Sequence, residues 1–281
     1  MWRRVPALRR LRARRVLAAL GASRDPTARL VGQAIVETWD RRLDSSERGW
    51  VERIEALRRE LEADVTEIEY IDYGAGAPDS ERTRQEASAG ITRQVRIGEV
   101  CRTGSKPPLW CLLLFKLVRR LQPGVCLELG SCLGISAAYQ AAALELNQRG
   151  KLISLEGSPA LAERARRHLE RLGLGRAGIV AGRFQDTLDS VLSSHRPVDY
   201  AFIDGHHDEQ ATGAYFAAIT AATAQPALLV FDDIEWSAGM RRAWQRIAAD
   251  PAVSLSIDLH QIGIGVSRGT ALRRSFTLDL D

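Results

Sequence analysis

The chain has 281 residues, 45% apolar and 26% charged, enough for one α/β domain of ordinary size and a smaller appendage. Its net charge of +4 is a property of one end: residues 1–24 hold eight arginines and no acid, which leaves −4 on residues 25–281. A body of that sign excludes a broad phosphate-gripping face. The longest apolar run, LWCLLLF at 109–115, is far shorter than a bilayer span.

In chain order, MWRRVPALRRLRARRVLAALGA opens a helical extension over residues 1–70, with a targeting segment or membrane-surface helix as the alternative. Within it, residues 46–63 predict an amphipathic helix whose Trp50, Ile54, Leu57 and Leu61 share a face. Residues 67–90, EIEYIDYGAGAPDSERTRQEASAG, read as a long loop, and residues 71–106 as a lid segment. Asp72 and Tyr73 are its candidates for closing over a site. A helix then spans 107–121, starting at prolines and stopping at Pro123-Gly124.

From there to residue 281 strands and helices alternate as one domain. Strands are expected at 125–129, 151–156, 177–181, 198–203, 227–231, 253–259 and 262–267, with helices at 134–148, 158–172, 185–194, 208–223 and 237–248. Repeated βα units of this length imply a parallel sheet covered on both faces, with ligands at the carboxyl ends of the strands. Cysteines 101, 111, 126 and 132 show no CxxC or metal-ligand spacing. They read as reduced thiols of a cytoplasmic protein.

Chemistry gathers where the strands end. The first ends in Glu128 and runs into Gly130-Ser131-Cys132-Leu133-Gly134, and the second ends in Glu156-Gly157. After the third comes Gly182-Arg183-Phe184-Gln185, after the fourth Asp204-Gly205-His206-His207, and after the fifth Asp232-Asp233-Ile234-Glu235-Trp236. One acid at a strand end is an ordinary helix cap, but five such ends in series are not explained by capping. The first turn puts Cys132 and Ile135 where a dinucleotide fingerprint has its second and third glycines, which argues against a nicotinamide cofactor.

ELGSCLG followed by Glu156 resembles the donor-binding motifs of class I S-adenosylmethionine-dependent methyltransferases. FIDGHH and DDIEW are similar to signatures of a bacterial group distantly akin to catechol O-methyltransferase. The resemblance covers roughly residues 72–268. It implies a Rossmann-like α/β fold with a seven-stranded, mostly parallel sheet, the last strand antiparallel, helices on both faces and the N-terminal helical extension added. It implies S-adenosyl-L-methionine as donor, held by Glu128, Gly130, Ser131, Gly134, Glu156, Gly157, Phe184, Gln185 and Asp204. The amides of Ser131 and Cys132 would meet its carboxylate.

For the chemistry it implies Asp204, His207 and Asp232, with Trp236 as a substrate wall beside the lid residues Asp72 and Tyr73. Metal ligation by Asp204, Asp232 and Asp233 carries over in part, because Asp233 stands where the catechol-type enzymes have Asn. Mg²⁺ is one reading, and a capping Asp232 with Asp204 bonded to the donor's amino group is the other. The expected acceptor is a small molecule reacting at oxygen. Nucleic acid is disfavoured by the acidic body, no transmembrane segment is expected, and a homo-oligomer stays open. The rivals are an RNA methyltransferase using the basic tail and a non-catalytic donor-binding protein.

Overall fold

A computed structural model of the chain describes residues 7–74, 89–267 and 274–278. Three helices come first: α1 (Ala7–Gly21), α2 (Pro26–Trp39) and α3 (Ser45–Ala63). Asp25 caps α2 by accepting from Thr27 N at 2.8 Å. Asp44 and Glu47 close a reciprocal capping box on α3. The expected apolar stripe of α3 is present, with Ile54, Leu57 and Leu61 buried, and α2 falls within the expected helical extension.

The long loop is corrected at both ends. Residues Glu67–Asp72 form strand β1, paired antiparallel with β2 (Ile91–Arg96), and α4 (Ile97–Gly104) follows directly. Alternating Ile68, Tyr70 and Asp72 in EIEYID is a strand pattern that the glycines after it obscured. Residues 75–88, with Gly76 and Pro78, lie outside the described residues.

The main sheet contains β3 (Val125–Leu129), β4 (Lys151–Glu156), β5 (Ala177–Ala181), β6 (Val198–Ile203), β7 (Thr223–Phe231), β8 (Val253–Asp258), β9 (Gly263–Ser267) and β10 (Arg274–Thr277). Their order is β10-β8-β9-β7-β6-β3-β4-β5, and β9 alone runs antiparallel to its neighbours. Among the described residues the sheet has eight strands rather than seven. The addition, β10, lies parallel against β8 and is fixed by buried Leu278, whose amide donates to Asp258 O at 2.8 Å.

Strand parity divides the core. Cys126, Tyr200, Phe202 and Val230 face a layer that includes α2, α3, α5 (Pro108–Leu121), α6 (Ile135–Asn147) and α7 (Pro159–Leu172). Leu127, Leu129, Ile203 and Phe231 face α8 (Phe184–His195), α9 (Glu209–Ala221) and α10 (Ala238–Ala249). The N-terminal helices therefore share the sheet's core. Strand order reverses between β3 and β6, which opens a crevice at their carboxyl ends.

Candidate active site

A cavity of 510 Å³ occupies that crevice, roofed by residues of β1, β2 and α4. The volume is in the usual range for a small-molecule site. Its floor is the turn after β3. Gly130 has φ 101°, and a Cβ there would overlap the carbonyl oxygen of Asp204. Cys132 keeps a left-handed φ of 48° without being glycine, and Gly134 has φ 84° against Ala165 of α7.

The amides of this turn are spent inside the protein. Gly130 N donates to Leu155 O at 2.9 Å, Ser131 N to the same oxygen at 3.3 Å, and Gly134 N to Ser131 O at 2.7 Å. Cys132 N donates to Glu156 Oε2 at 2.8 Å. The Ser131 and Cys132 amides, expected to meet an anion, are directed here to Leu155 O and Glu156 Oε2. Ser131 is buried with its hydroxyl on Ser154 Oγ at 2.6 Å, and Ser131 and Gly134 lie behind the cavity wall.

The two acids at the first strand ends part company. Glu156 lines the cavity, its Oε1 accepting from Ser158 N at 2.9 Å. Burial pushes its carboxyl up to about 7 against the pull of those backbone bonds. Glu128 is fully buried and does not line the cavity. It accepts from Ser154 Oγ and from Gln140 Nε2, the latter at 2.7 Å. Depth along the strands explains this: Glu128 and Glu156 share one face of the sheet, but Glu128 pairs with Ser154, two residues short of Glu156, and so lies beneath the turn and against α6. It thus stands apart from the cavity where it was expected to meet the donor, and burial pushes it too up to about 7.

Gly157 lines the cavity against the ring of Tyr73, 2.7 Å from where a Cβ would stand. Phe184 also lines it and meets His206 edge-on at 5.5 Å between ring centroids. Gln185, one residue on along α8, is exposed and faces away. Asp72 lines the cavity and accepts from Arg93 Nε at 2.7 Å and Gly74 N at 2.9 Å.

At the other end, Asp204 and Asp232 follow β6 and β7, each amide donating at 2.9 Å to the strand beside it. Asp204, His207 and Asp232 bring ligand atoms within 4.8 Å of one another. Asp204 and Asp233 line the cavity, whereas Asp232 is buried behind them with 2% exposure. Burial raises Asp204 to about 6, and burial together with Asp204 pushes Asp232 up while the Lys106 ammonium pulls it back toward the ionised form.

Into this group reaches a residue the sequence did not single out. Lys106, between α4 and α5, donates from Nζ to Asp232 Oδ2 and stands 3.4 Å from Asp233 Oδ1. Its side chain is 13% exposed, on the cavity wall. Burial works against its charge, but Asp204, Asp232 and Asp233 outweigh it and hold the amine protonated. Oxygen donors alone would suit Mg²⁺, but the ammonium already stands among Asp204, Asp232 and Asp233. The arrangement does not fit the expected metal ion.

His207 Nε2 lies 3.5 Å from Asp204 Oδ1 and 3.9 Å from Asp233 Oδ2, and Trp236 covers its ring at 5.8 Å between centroids. Burial lowers its pKa below the ordinary histidine value despite the nearby acids. His206 meets Tyr215 OH at 2.7 Å and packs on Phe184. Both histidines have positive φ, at 63° and 45°, which turns the chain after β6 across the cavity.

Residues 127–234 match a family model described as a methyltransferase domain. The fold is similar to that of an O-methyltransferase from Bacillus cereus solved with S-adenosylhomocysteine, at 25% identity over 59% of this chain and 84% of that one, TM-score 0.52. It is also similar in fold to the O-methyltransferase TomG of Streptomyces achromogenes, involved in tomaymycin synthesis and solved with S-adenosylmethionine, at 22% identity over 59% and 82%, TM-score 0.50. A Podospora anserina methyltransferase bound to S-adenosylhomocysteine shares the fold at 17% identity over 59% and 81%, TM-score 0.51. No curated protein sequence matched the chain. Among the described residues no helix is long and apolar enough to cross a membrane.

Proposed function

We propose that this chain is an S-adenosylmethionine-dependent methyltransferase that acts on an oxygen of a small molecule. The observation that carries the reading is Glu156, a buried carboxylate open to the same cavity as Asp204 and His207. A carboxylate suited to ribose hydroxyls and a pair suited to proton transfer thus share one cavity, within the residues that match a methyltransferase-domain model.

Glu156 would take the ribose hydroxyls, Phe184 the adenine, and Gly130 with Gly157 the close backbone approach. When bound, the donor supplies an electrophilic methyl group on a sulfonium. Alignment is the protein's main contribution to an in-line displacement. Trp236 walls the acceptor side, and Asp72 with Tyr73 covers the nucleoside side. His207, neutral at physiological pH by its lowered pKa, would receive the acceptor's hydroxyl proton.

Calorimetry with S-adenosylhomocysteine tests the donor site. Saturable binding that Glu156→Ala weakens at least tenfold is expected, and no heat from the folded wild-type protein would overturn the reading. Release of S-adenosylhomocysteine on mixing with donor and cell extract tests turnover, and donor binding without any such release favours a non-catalytic protein.

A further inference from the structure

We propose that Lys106 is the built-in cation of this active site: its ammonium takes the place of a divalent metal and holds the acceptor oxygen during methyl transfer. The inference rests on the methyltransferase reading for the reaction, but its central claim concerns only how the carboxylates are neutralised.

Lys106 directly precedes Pro107-Pro108, and a residue before proline is biased to extended backbone. Its stem therefore leaves the helical run and crosses to the strand ends. An ammonium has three N–H donors. One meets Asp232 and a second is directed by Asp233, at 3.4 Å. The lysine lines the cavity, so the third donor is left for a ligand oxygen. A metal ion would have to share a space of a few ångströms with a fixed positive charge, and the carboxylates cannot ligate it while they hold the lysine. Lysine suits the place better than arginine, because it brings a compact point charge rather than a planar fork.

The step balances without a metal. The acceptor O–H bond breaks and its proton passes to His207 Nε2, then to water. The oxygen–carbon bond forms as the sulfonium carbon–sulfur bond breaks, and that electron pair stays on sulfur. Lys106 remains an ammonium throughout, donating to the oxygen as negative charge develops on it.

Mn²⁺ titration followed by electron paramagnetic resonance tests the cation claim without turnover. Wild type and Lys106→Arg should leave millimolar Mn²⁺ free. Lys106→Met should bind one ion through the released carboxylates, and Lys106→Met with Asp232→Asn should lose it again. Stoichiometric Mn²⁺ binding by wild type would overturn the proposal, as would a folded Lys106→Met protein that binds none.

In the extract assay, chelator should leave the wild-type rate unchanged. Lys106→Met should lower it by about a hundred- to a thousandfold with S-adenosylhomocysteine affinity kept. A chelator-sensitive wild-type rate would also overturn the proposal. If wild type fails to bind S-adenosylhomocysteine, the methyltransferase reading falls while the Mn²⁺ result still decides what neutralises the carboxylates.

Discussion

Glu156 accepts the amide hydrogen of Cys132 at 2.8 Å, so the acid ending β4 pins the glycine turn that follows β3. The same carboxylate takes Ser158 N on its other oxygen. Both oxygens thus face backbone donors, and a glutamine amide would have to turn its NH₂ toward one of them. Glu156→Gln is therefore expected to weaken S-adenosylhomocysteine about ten- to a hundredfold, in line with about 1–3 kcal/mol for an unmade buried hydrogen bond. Ligand uptake should also release protons near pH 6.5, because ribose hydroxyls favour the ionised form of a group that titrates at about 7 when free. Calorimetry in two buffers of different ionisation heat checks this, and identical heats would count against it.

Glu128 makes a prediction about stability rather than binding. Its carboxyl is raised to about 7 by burial, so the folded state binds its proton more tightly than the unfolded state does. Its contribution to stability is complete below the ordinary carboxylate value and is lost as pH rises through about 7, on the order of 3 kcal/mol in all. Gln140 Oε1 has no hydrogen-bond partner, and a protonated Glu128 facing a turned amide would give it one. Glu128→Gln should therefore be more stable than wild type at pH 8 and lose that advantage at pH 5. Denaturant midpoints at the two pH values measure it, and an equal difference at both would refute the assignment.

The sequence made most of the sheet legible because β3 to β7 each end in, or are followed by, a glycine or acid that marks the boundary. It left the depth of each acid open. Glu128 and Glu156 end similar apolar runs, yet one is sealed under α6 and the other opens on the cavity. That depends on how deep each acid sits in the register of β3 against β4, where Glu128 pairs with Ser154 two residues short of Glu156, and on which helix covers it, and neither is local. Lys106 was harder still, since its ion-pair partners Asp232 and Asp233 lie 126 or more residues away in the chain. A signal did exist. Three of 39 basic residues are lysine, and two of them, Lys106 and Lys116, are largely buried against carboxylates. In a chain that uses arginine on its surface, a lysine marks a place where a compact charge is needed. Strands β1 and β2 were masked by the glycines at 74 and 76, which suggest a loop throughout.

Gly130 tests whether the turn tolerates any side chain. Its φ of 101° is strained for other residues, and the obstructing atom is the main-chain oxygen of Asp204 rather than a movable side chain. Gly130→Ala must separate β3 from the end of β6, at more than about 3 kcal/mol. A large fall in melting temperature is expected, whereas Gly173→Ala, also at positive φ but with open space around it, should lose only about 1 kcal/mol. Equal losses would mean that close packing at Gly130 is not the constraint.

His207 carries the pH dependence of the chemical step. Burial lowers its pKa below 6.5 while the charges of Asp232 and Asp233 oppose the shift. A base with a lowered pKa keeps its free lone pair to lower pH, so the acid limb of the kcat profile should have its midpoint below 6.5. Asp204, raised to about 6, acts in the same direction, since its protonation removes a negative charge that steadies the imidazolium formed in the reaction. His207→Gln should lower kcat by about a hundred- to ten-thousandfold and flatten that limb, with S-adenosylhomocysteine affinity within about twofold of wild type. Loss of affinity in step with rate would instead assign His207 to donor binding. An unchanged limb in the variant would give the titration to Asp204 and leave the acceptor's proton to another base.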